Sequence, residues 1–304
     1  MSIKYLSLCI PTNGIVEWVI PVIKSIYSQG VSEDLFEVVI ADNGLSDNLQ
    51  VAIMDFFSKH NNIKYKRTSA IMFQNQIEAF KMANGIFIKF INHRMILNEG
   101  SLEYLIRFAK DNIEAKPVAF FSNGNLSFNG KKAVDSFEQF IVDMSYYSSW
   151  SAGLAIWKSD FENMASNEEY NQFFPHINLL FNNKDRHNYI VDNTKLLLEQ
   201  TIDDTKKGKY DVFYAFGVEY PGIILDLYRD GFISRKTFLA VKDDILTFLA
   251  RLYLRHIILK KPCSFELSYY EESIRVFFNE NSLKRRSIYI MLRKLKKYIT
   301  LKRS

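Results

Sequence analysis

Four alternations of a short strand-patterned segment with a helix-patterned segment fill the first 111 residues and leave little freedom of architecture. The strand-patterned segments lie at 5–10, 36–41, 63–67 and 86–91, the third short and basic and the others largely apolar. The helical patterns lie at 15–29, at about 48–59, in a stripe through Phe73, Ile77, Phe80 and Ala83 that ends at Asn84-Gly85, and at 101–111. Strands separated by a helix-length crossover pair in parallel, so an α/β fold with a mainly parallel, doubly wound sheet and flanking helices is expected. After Pro117-Val118-Ala119-Phe120-Phe121 the rhythm changes. A hairpin around Asn129-Gly130, a helix at 136–144 and an aromatic loop are predicted, with helices dominating from about 175. No internal repeat or low-complexity linker interrupts the chain, and the expected division is a sheet domain over 1–230, in halves of 1–115 and 116–230, followed by a helical region over 231–304.

The second apolar run is the most pointed locally. It reads Phe36-Glu37-Val38-Val39-Ile40-Ala41 and stops at Asp42, followed by Asn43-Gly44-Leu45-Ser46-Asp47-Asn48. A buried strand that delivers a carboxylate to its C-terminal edge is the geometry in which open α/β sheets hold nucleotides. The same letters also describe a strand-to-helix loop in which Asp42 and Asn43 make local turns and Ser46 or Asp47 caps the next helix.

Only two cysteines occur, Cys9 inside the first run and Cys263 near the far end, so neither a disulfide framework nor a zinc site of Cys/His type is expected, and a reducing, cytosolic setting fits. The first residues are interrupted by Pro11 too soon for a signal peptide, and the apolar stretch 245–259 carries Arg251, Arg255 and His256, which argues against a membrane span. The net charge of +5 hides an asymmetry. Residues 281–304 hold Lys284, Arg285, Arg286, Arg293, Lys294, Lys296, Lys297, Lys302 and Arg303 and no acid, so the rest of the chain is mildly acidic. On a helical projection Ile288, Met291, Leu292, Leu295 and Ile299 share one face, opposite Arg286, Arg293 and Lys297. That pattern suits a helix lying on an anionic membrane surface, and it also suits a last helix packed on the body with a solvated outer face. No RNA- or DNA-binding motif accompanies the basic residues, so nucleic acid is not an expected partner.

Taken in order, Leu8-Cys9-Ile10-Pro11-Thr12-Asn13, then Val39 through Asn48, then Asn75 with Ala79 and Ala83-Asn84-Gly85, then Phe87 to Leu97 with Gly100-Ser101-Leu102, resemble the landmarks of family 2 glycosyltransferases of the GT-A fold. The likeness covers about 5–105 well and extends loosely to about 230, where it is similar to bacterial enzymes that build O-antigen or capsule. The resemblance implies transfer of a sugar from a nucleotide-diphosphate donor, a UDP-sugar above others, with inversion at the anomeric carbon. It implies a donor half over 1–115 and an acceptor half over 116–230. By matched position, Pro11 and Thr12 would border base and ribose, Asp42 would accept a hydrogen bond from the base edge, and Asn75 would join the nucleotide site. The acceptor would be a glycan or lipid-linked acceptor, met by an enzyme on the cytoplasmic face of the cell membrane.

One departure stands out. Where the family's fourth strand ends in an Asp-any-Asp motif that holds Mg²⁺ or Mn²⁺ against the diphosphate, this chain has Asn92-His93-Arg94. A cation remains possible by resemblance, but a conventional metal site is not expected. Three readings stay open: Arg94 supplies the charge a metal would bring, with Asn92 or His93 as an added donor; the site is degenerate and only binds; or Arg94 points to solvent. An inverting transfer also needs a general base, for which His176 and the pair Glu168 and Glu169 are the candidates. Tyr146, Tyr147 and Trp150, just before Ser151-Ala152-Gly153-Leu154, fall where family members form the acceptor floor, with Gly153 allowing a close backbone approach.

Overall fold

The computed structural model describes residues 3–164, 169–203, 205 and 207–301, and of residues 297–299 and 301 the backbone alone. Glu168, Lys302 and Arg303 lie outside the described residues. The chain forms two compact units, 1–202 and 203–304. Residue 230, the expected boundary, falls within the second unit, just after a helix.

In the first unit the chain runs β1 (Leu6–Thr12), α1 (Val16–Tyr27), β2 (Phe36–Asp42), α2 (Asn48–Ala52), α3 (Met54–Lys59), β3 (Ile63–Arg67), α4 (Asn75–Met82), β4 (Phe87–Phe90), β5 (Met95–Leu97) and α5 (Ser101–Asp111). It continues through β6 (Val118–Phe121), β7 (Lys131–Val134), α6 (Phe137–Met144), β8 (Ala155–Trp157), α7 (Lys158–Glu162), α8 (Pro175–Phe181), β9 (Tyr189–Asp192) and β10 (Leu197–Glu199). The four strand-patterned segments become β1 to β4. The main sheet has the order β3-β2-β1-β4-β8, with β1 to β4 parallel and β8 antiparallel beside β4. β2 is buried along its whole length, as a central strand covered by helices on both faces must be. Its one charged residue within the run, Glu37, accepts from Ser7 Oγ and the Asn84 backbone N–H and pairs with Lys64 at 2.7 Å. Burial alone would raise the Glu37 pKa, and these partners outweigh it and hold the carboxyl below its usual range.

Register decides where the strand ends meet. Thr12 lies opposite Asp42, and Asp42 opposite Arg67, so the loops after β1, β2 and β3 leave the sheet side by side. Such an edge is where open α/β sheets place ligands.

The second half of this unit corrects the expected hairpin. β6 and the strand after Asn129-Gly130 do not form a hairpin, because β9 lies between them, parallel to β6 and antiparallel to β7. Gly130 still turns the chain at φ +70°, but the loop closes around Asn193, whose side-chain amide donates to the Leu126 and Phe128 carbonyls. Helices do dominate from 175, interrupted among the described residues by two short strands, β9 and β10, which follow α8; β10 pairs antiparallel with β5. The helix expected over 48–59 is broken in two at the fully buried Ile53.

The second unit is helical: α9 (Val212–Tyr214) runs through a π-helical turn at Ala215–Glu219 into α10 (Tyr220–Arg229), followed by α11 (Arg235–Leu252), α12 (Tyr270–Phe277) and α13 (Glu280–Leu301). α13 behaves differently in its two halves. Leu283 and Ser287 are buried against α11, with Ser287 Oγ donating to the Ala250 carbonyl and Arg286 paired with Asp243 at 2.6 Å. From 291 to 296 every residue is exposed, including Met291, Leu292 and Leu295. Among the described residues no helix is long and apolar enough to cross a membrane.

Candidate active site

The edge formed by the ends of β1, β2 and β4 draws five sequence-nominated residues into one connected arrangement. Thr12 is buried at the end of β1, and its hydroxyl accepts from the Gly14 N–H at 3.1 Å and meets His93 Nδ1 at 2.8 Å. His93 stands edge-on to the Trp18 ring, centroids 5.2 Å apart, and the Arg94 guanidinium lies 5.7 Å over the same indole. Asn92 Oδ1 accepts from the Arg94 backbone N–H at 3.0 Å and from its Nε at 3.3 Å. Arg94 is thus held from both ends, with its backbone carbonyl accepting from the Gln200 N–H. Pro11 is half-buried beside this group.

Asp42 is fully buried, with Oδ1 accepting from the Gly44 N–H at 2.7 Å and Oδ2 from the Tyr65 hydroxyl at 2.8 Å. Burial, then the bond to Asp42, pushes the Tyr65 phenol up to about 12, so it stays a donor. Arg67 donates to the Ser46 and Gly44 carbonyls and approaches Asp42 and Asp47. Asp42 therefore organises a local turn at the sheet edge, as the loop reading expected, although the helix cap expected from Ser46 or Asp47 is not made. Gly44 is required by that turn, since a Cβ there would stand 2.4 Å from the Asn13 carbonyl oxygen. Asp47 occupies the cap position of α2, but its side chain caps nothing and turns to Arg67 instead.

Asn75 is buried, its two N–H groups donate to the Thr12 and Ala41 carbonyls, and its oxygen accepts from Thr68 Oγ1 at 2.6 Å. Both amide donors are thus spent on the protein. Asn75 fastens β1 to β2 behind the site.

The residues nominated for the acceptor side form a second group. Tyr146 and Tyr147 stack at 4.5 Å in a 3₁₀ turn, Ser145–Ser149, and Trp150 is half-buried before the next turn, Ser151–Gly153. Gly153 does allow a close approach, but to the protein itself: a Cβ there would lie 2.3 Å from the Phe120 ring. His176, in the first turn of α8, is 2% exposed, and its ring faces the backbone of Ser148 and Ser149 without a hydrogen bond of good geometry among the described residues. Glu169 is exposed.

Sequence reasoning missed the link between the groups. Lys89 of β4 is 1% exposed and donates to the carbonyls of Phe90, Ala152 and Leu154. A lysine in an otherwise apolar strand is the signal that could have found it. Gln200 and Tyr65 left no comparable mark.

Both imidazoles are neutral at pH 7. Burial, reinforced by the neighbouring Arg94 charge, lowers His93 to about 3, and burial lowers His176 to about 4. A histidine with a depressed folded-state pKa takes up its proton first in the unfolded chain, so its contribution is intact above about pH 6.5 and is lost as the pH falls towards the folded value. For His176 this amounts to about 2 kcal/mol between pH 7 and pH 5. Urea unfolding at the two pH values measures it, and a His176→Phe variant should show a correspondingly flatter dependence; an unchanged dependence would count against a buried neutral ring.

Divalent cations of the Mg²⁺ and Mn²⁺ kind favour carboxylate oxygens. At the β4 end the donor set is an amide whose oxygen already binds Arg94 twice, an imidazole bonded to Thr12 and a guanidinium. These residues do not fit such a cation, and among the described residues no group of three or more His, Cys, Asp or Glu is placed to hold a metal ion.

Residues 7–152 match the family model described as Glycosyl transferase family 2. No curated protein matches the chain in sequence. Among solved structures, residues 1–349 of S. aureus TarS in complex with UDP-GlcNAc are similar, with a TM-score of 0.58 at 14% identity over 94% of this chain and 88% of that one. A longer TarS structure gives 0.53 at 15% identity over 83% of this chain but only 43% of that one, so the chain spans less than half the length of that relative. The mannosyltransferase PcManGT from Pyrobaculum calidifontis, in complex with GDP-Man and Mn²⁺, gives 0.50 at 12% identity over 94% and 86%. The mixed sheet with its flanking helices is the GT-A fold of these neighbours.

Proposed function

We propose, from the premise that this chain is a glycosyltransferase with a family 2 domain on a GT-A fold, that it transfers a sugar with inversion from a UDP-sugar to a glycan acceptor. The nucleotide would lie over Pro11, Thr12 and the Asp42 turn, with its diphosphate towards Arg94. Neighbours of this fold crystallised with UDP-GlcNAc and with GDP-Man support a nucleotide-sugar donor. The observation that carries the reading is Arg94, fixed by Asn92 and Trp18 at the strand end where the family sets its metal-binding carboxylates.

In this account the acceptor hydroxyl attacks the anomeric carbon, a new C–O bond forms as the bond to the diphosphate oxygen breaks, and UDP departs with the bonding pair. The negative charge that grows on the diphosphate meets the Arg94 fork, which can bind two phosphate oxygens at once. The general base we assign to the hydroxyl proton is His176, which burial keeps neutral. The aromatic segment through Tyr147 and Trp150 receives the apolar face of the acceptor sugar. Turnover is tested by release of UDP from a panel of UDP-sugars with glycan and lipid-linked acceptors, and absence of both binding and release across the panel would refute the donor assignment.

The working place of such an enzyme would be the cytoplasmic face of the cell membrane, in synthesis of a bacterial surface polysaccharide. The support is α13, whose exposed half carries Ile288, Met291, Leu292 and Leu295 among Arg293, Lys294 and Lys296. Each basic residue near an anionic surface adds about 1 kcal/mol, and the apolar side chains add their burial. The packed first turns of α13 make removal from 281 unsuitable, since Leu283 and Ser287 belong to the core. Truncation after Ile290 is the cleaner test: the full chain should sediment with phosphatidylserine-rich vesicles and the truncated chain should not, with UDP affinity unchanged. Equal sedimentation of both would reject the membrane role.

A further inference from the structure

Among the described residues Lys89 pairs with no carboxylate, and nothing proposed so far uses it. Burying an ammonium costs several kcal/mol, which an unpaired charge recovers only through well-made hydrogen bonds. Lys89 has three donors and spends all three on backbone carbonyls: Phe90 at 3.0 Å, Leu154 at 3.1 Å and Ala152. The Phe121 ring, 5.5 Å away, adds a cation–π contact. The three carbonyls belong to two places. Phe90 ends β4 and leads straight into Ile91 and Asn92-His93-Arg94, while Ala152 and Leu154 flank Gly153 in the turn that follows Trp150. The β4 to β8 ladder pairs Lys89 with Ala155 and gives out after the Phe90 N–H to Leu154 carbonyl bond. The ammonium continues that connection past the end of the ladder.

We propose that Lys89 is a positioning residue that sets the acceptor-side turn, Ser151–Gly153, at a fixed distance from the strand end bearing Arg94. The inference rests on the reading of the aromatic segment as the acceptor side. Phe120 supports the arrangement from the other side, because Gly153 packs on its ring with no room for a Cβ. An apolar residue at 89 would lower the cost of burial but leave the turn without its tie.

Burial lowers the Lys89 pKa to about 7, so above neutrality the side chain becomes an amine with two donors for three carbonyls. Of the elements packed against it, β6, β8 and the turn carry no ionisable side chain, and β1 contributes only Cys9, whose thiol donates to the Ala79 carbonyl. The experiment is hydrogen exchange on the full chain, wild type and Lys89→Met, with UDP affinity measured in parallel by calorimetry. The expected result is exchange at least about tenfold faster at residues 147–155 in Lys89→Met, with the β1 and β2 peptides unchanged and the UDP Kd within about twofold of wild type. Unchanged protection at 147–155, or a loss spread evenly over the whole unit, would overturn the proposal. Should Lys89→Met fail to fold, the wild type decides. Protection of 147–155 relative to β1 should fall between pH 6 and pH 9, and constant relative protection would overturn it. If UDP does not bind the wild type at all, the donor reading fails, while the exchange comparison still judges the tie.

Discussion

Arg94→Ala should lower turnover about 100-fold while leaving the fold intact, the effect of removing one preorganised group from a site of developing charge. Arg94 is only half-buried and its removal opens no core cavity, so thermal unfolding should move little. Arg94→Lys keeps a positive charge but loses the planar fork and its fit to the Trp18 face, and should recover only part of the rate. The loss should appear in kcat more than in the affinity for UDP-sugar, because the diphosphate gains charge as it leaves. Steady-state kinetics of the three proteins measures this, and wild-type turnover in Arg94→Ala would remove the guanidinium from the reaction.

His176→Gln should cost about 10²- to 10⁴-fold in turnover, the range of a positioned general base. The glutamine is close in size and still polar, so nucleotide affinity should hold. Glu169→Gln is the matched control: Glu169 is exposed and should tolerate the change. The opposite pattern, with Glu169→Gln inactive and His176→Gln active, would move the base to the carboxylate. With His176 near 4 in the folded protein, the base stays competent well below pH 6, so the two substitutions rather than the acid limb of the rate profile decide between the candidates.

The legible part of the sequence was the part governed by local periodicity. β1 to β4 and the helices between them fall close to the expected limits, since each is an apolar run whose spacing reports its own geometry. β8, β9 and β10 are three or four residues long and sit among polar residues, so their identity depends on partners far away: Ala155 on Lys89, Tyr189 on Val118 and Leu197 on Leu97. The Asn129-Gly130 turn was visible, but its partner strand was not, because nothing in the turn announces that β9 will insert.

The candidate site divides in the same way. Thr12 and Asp42 end β1 and β2 and the run Asn92-His93-Arg94 follows β4, places that the apolar runs before them make legible. That the Asn75 amide spends both donors on the carbonyls of Thr12 and Ala41 was not legible, being a matter of tertiary geometry. Asp42 reached its expected place with a fuller set of protein partners than its neighbours in sequence suggest, since Tyr65 arrives from β3. Lys89 escaped notice because a lone lysine in a strand is ordinarily a surface residue.

The central claim is that Arg94, not a carboxylate-held cation, meets the diphosphate. Calorimetric titration of UDP-GlcNAc into the full chain, once in EDTA and once in Mn²⁺, tests it most directly. The account predicts binding in EDTA with a Kd within about threefold of the Mn²⁺ value, and in Arg94→Ala a Kd weakened by a similar, modest factor under both conditions. Binding that appears only with Mn²⁺ and survives the Arg94 change would contradict it.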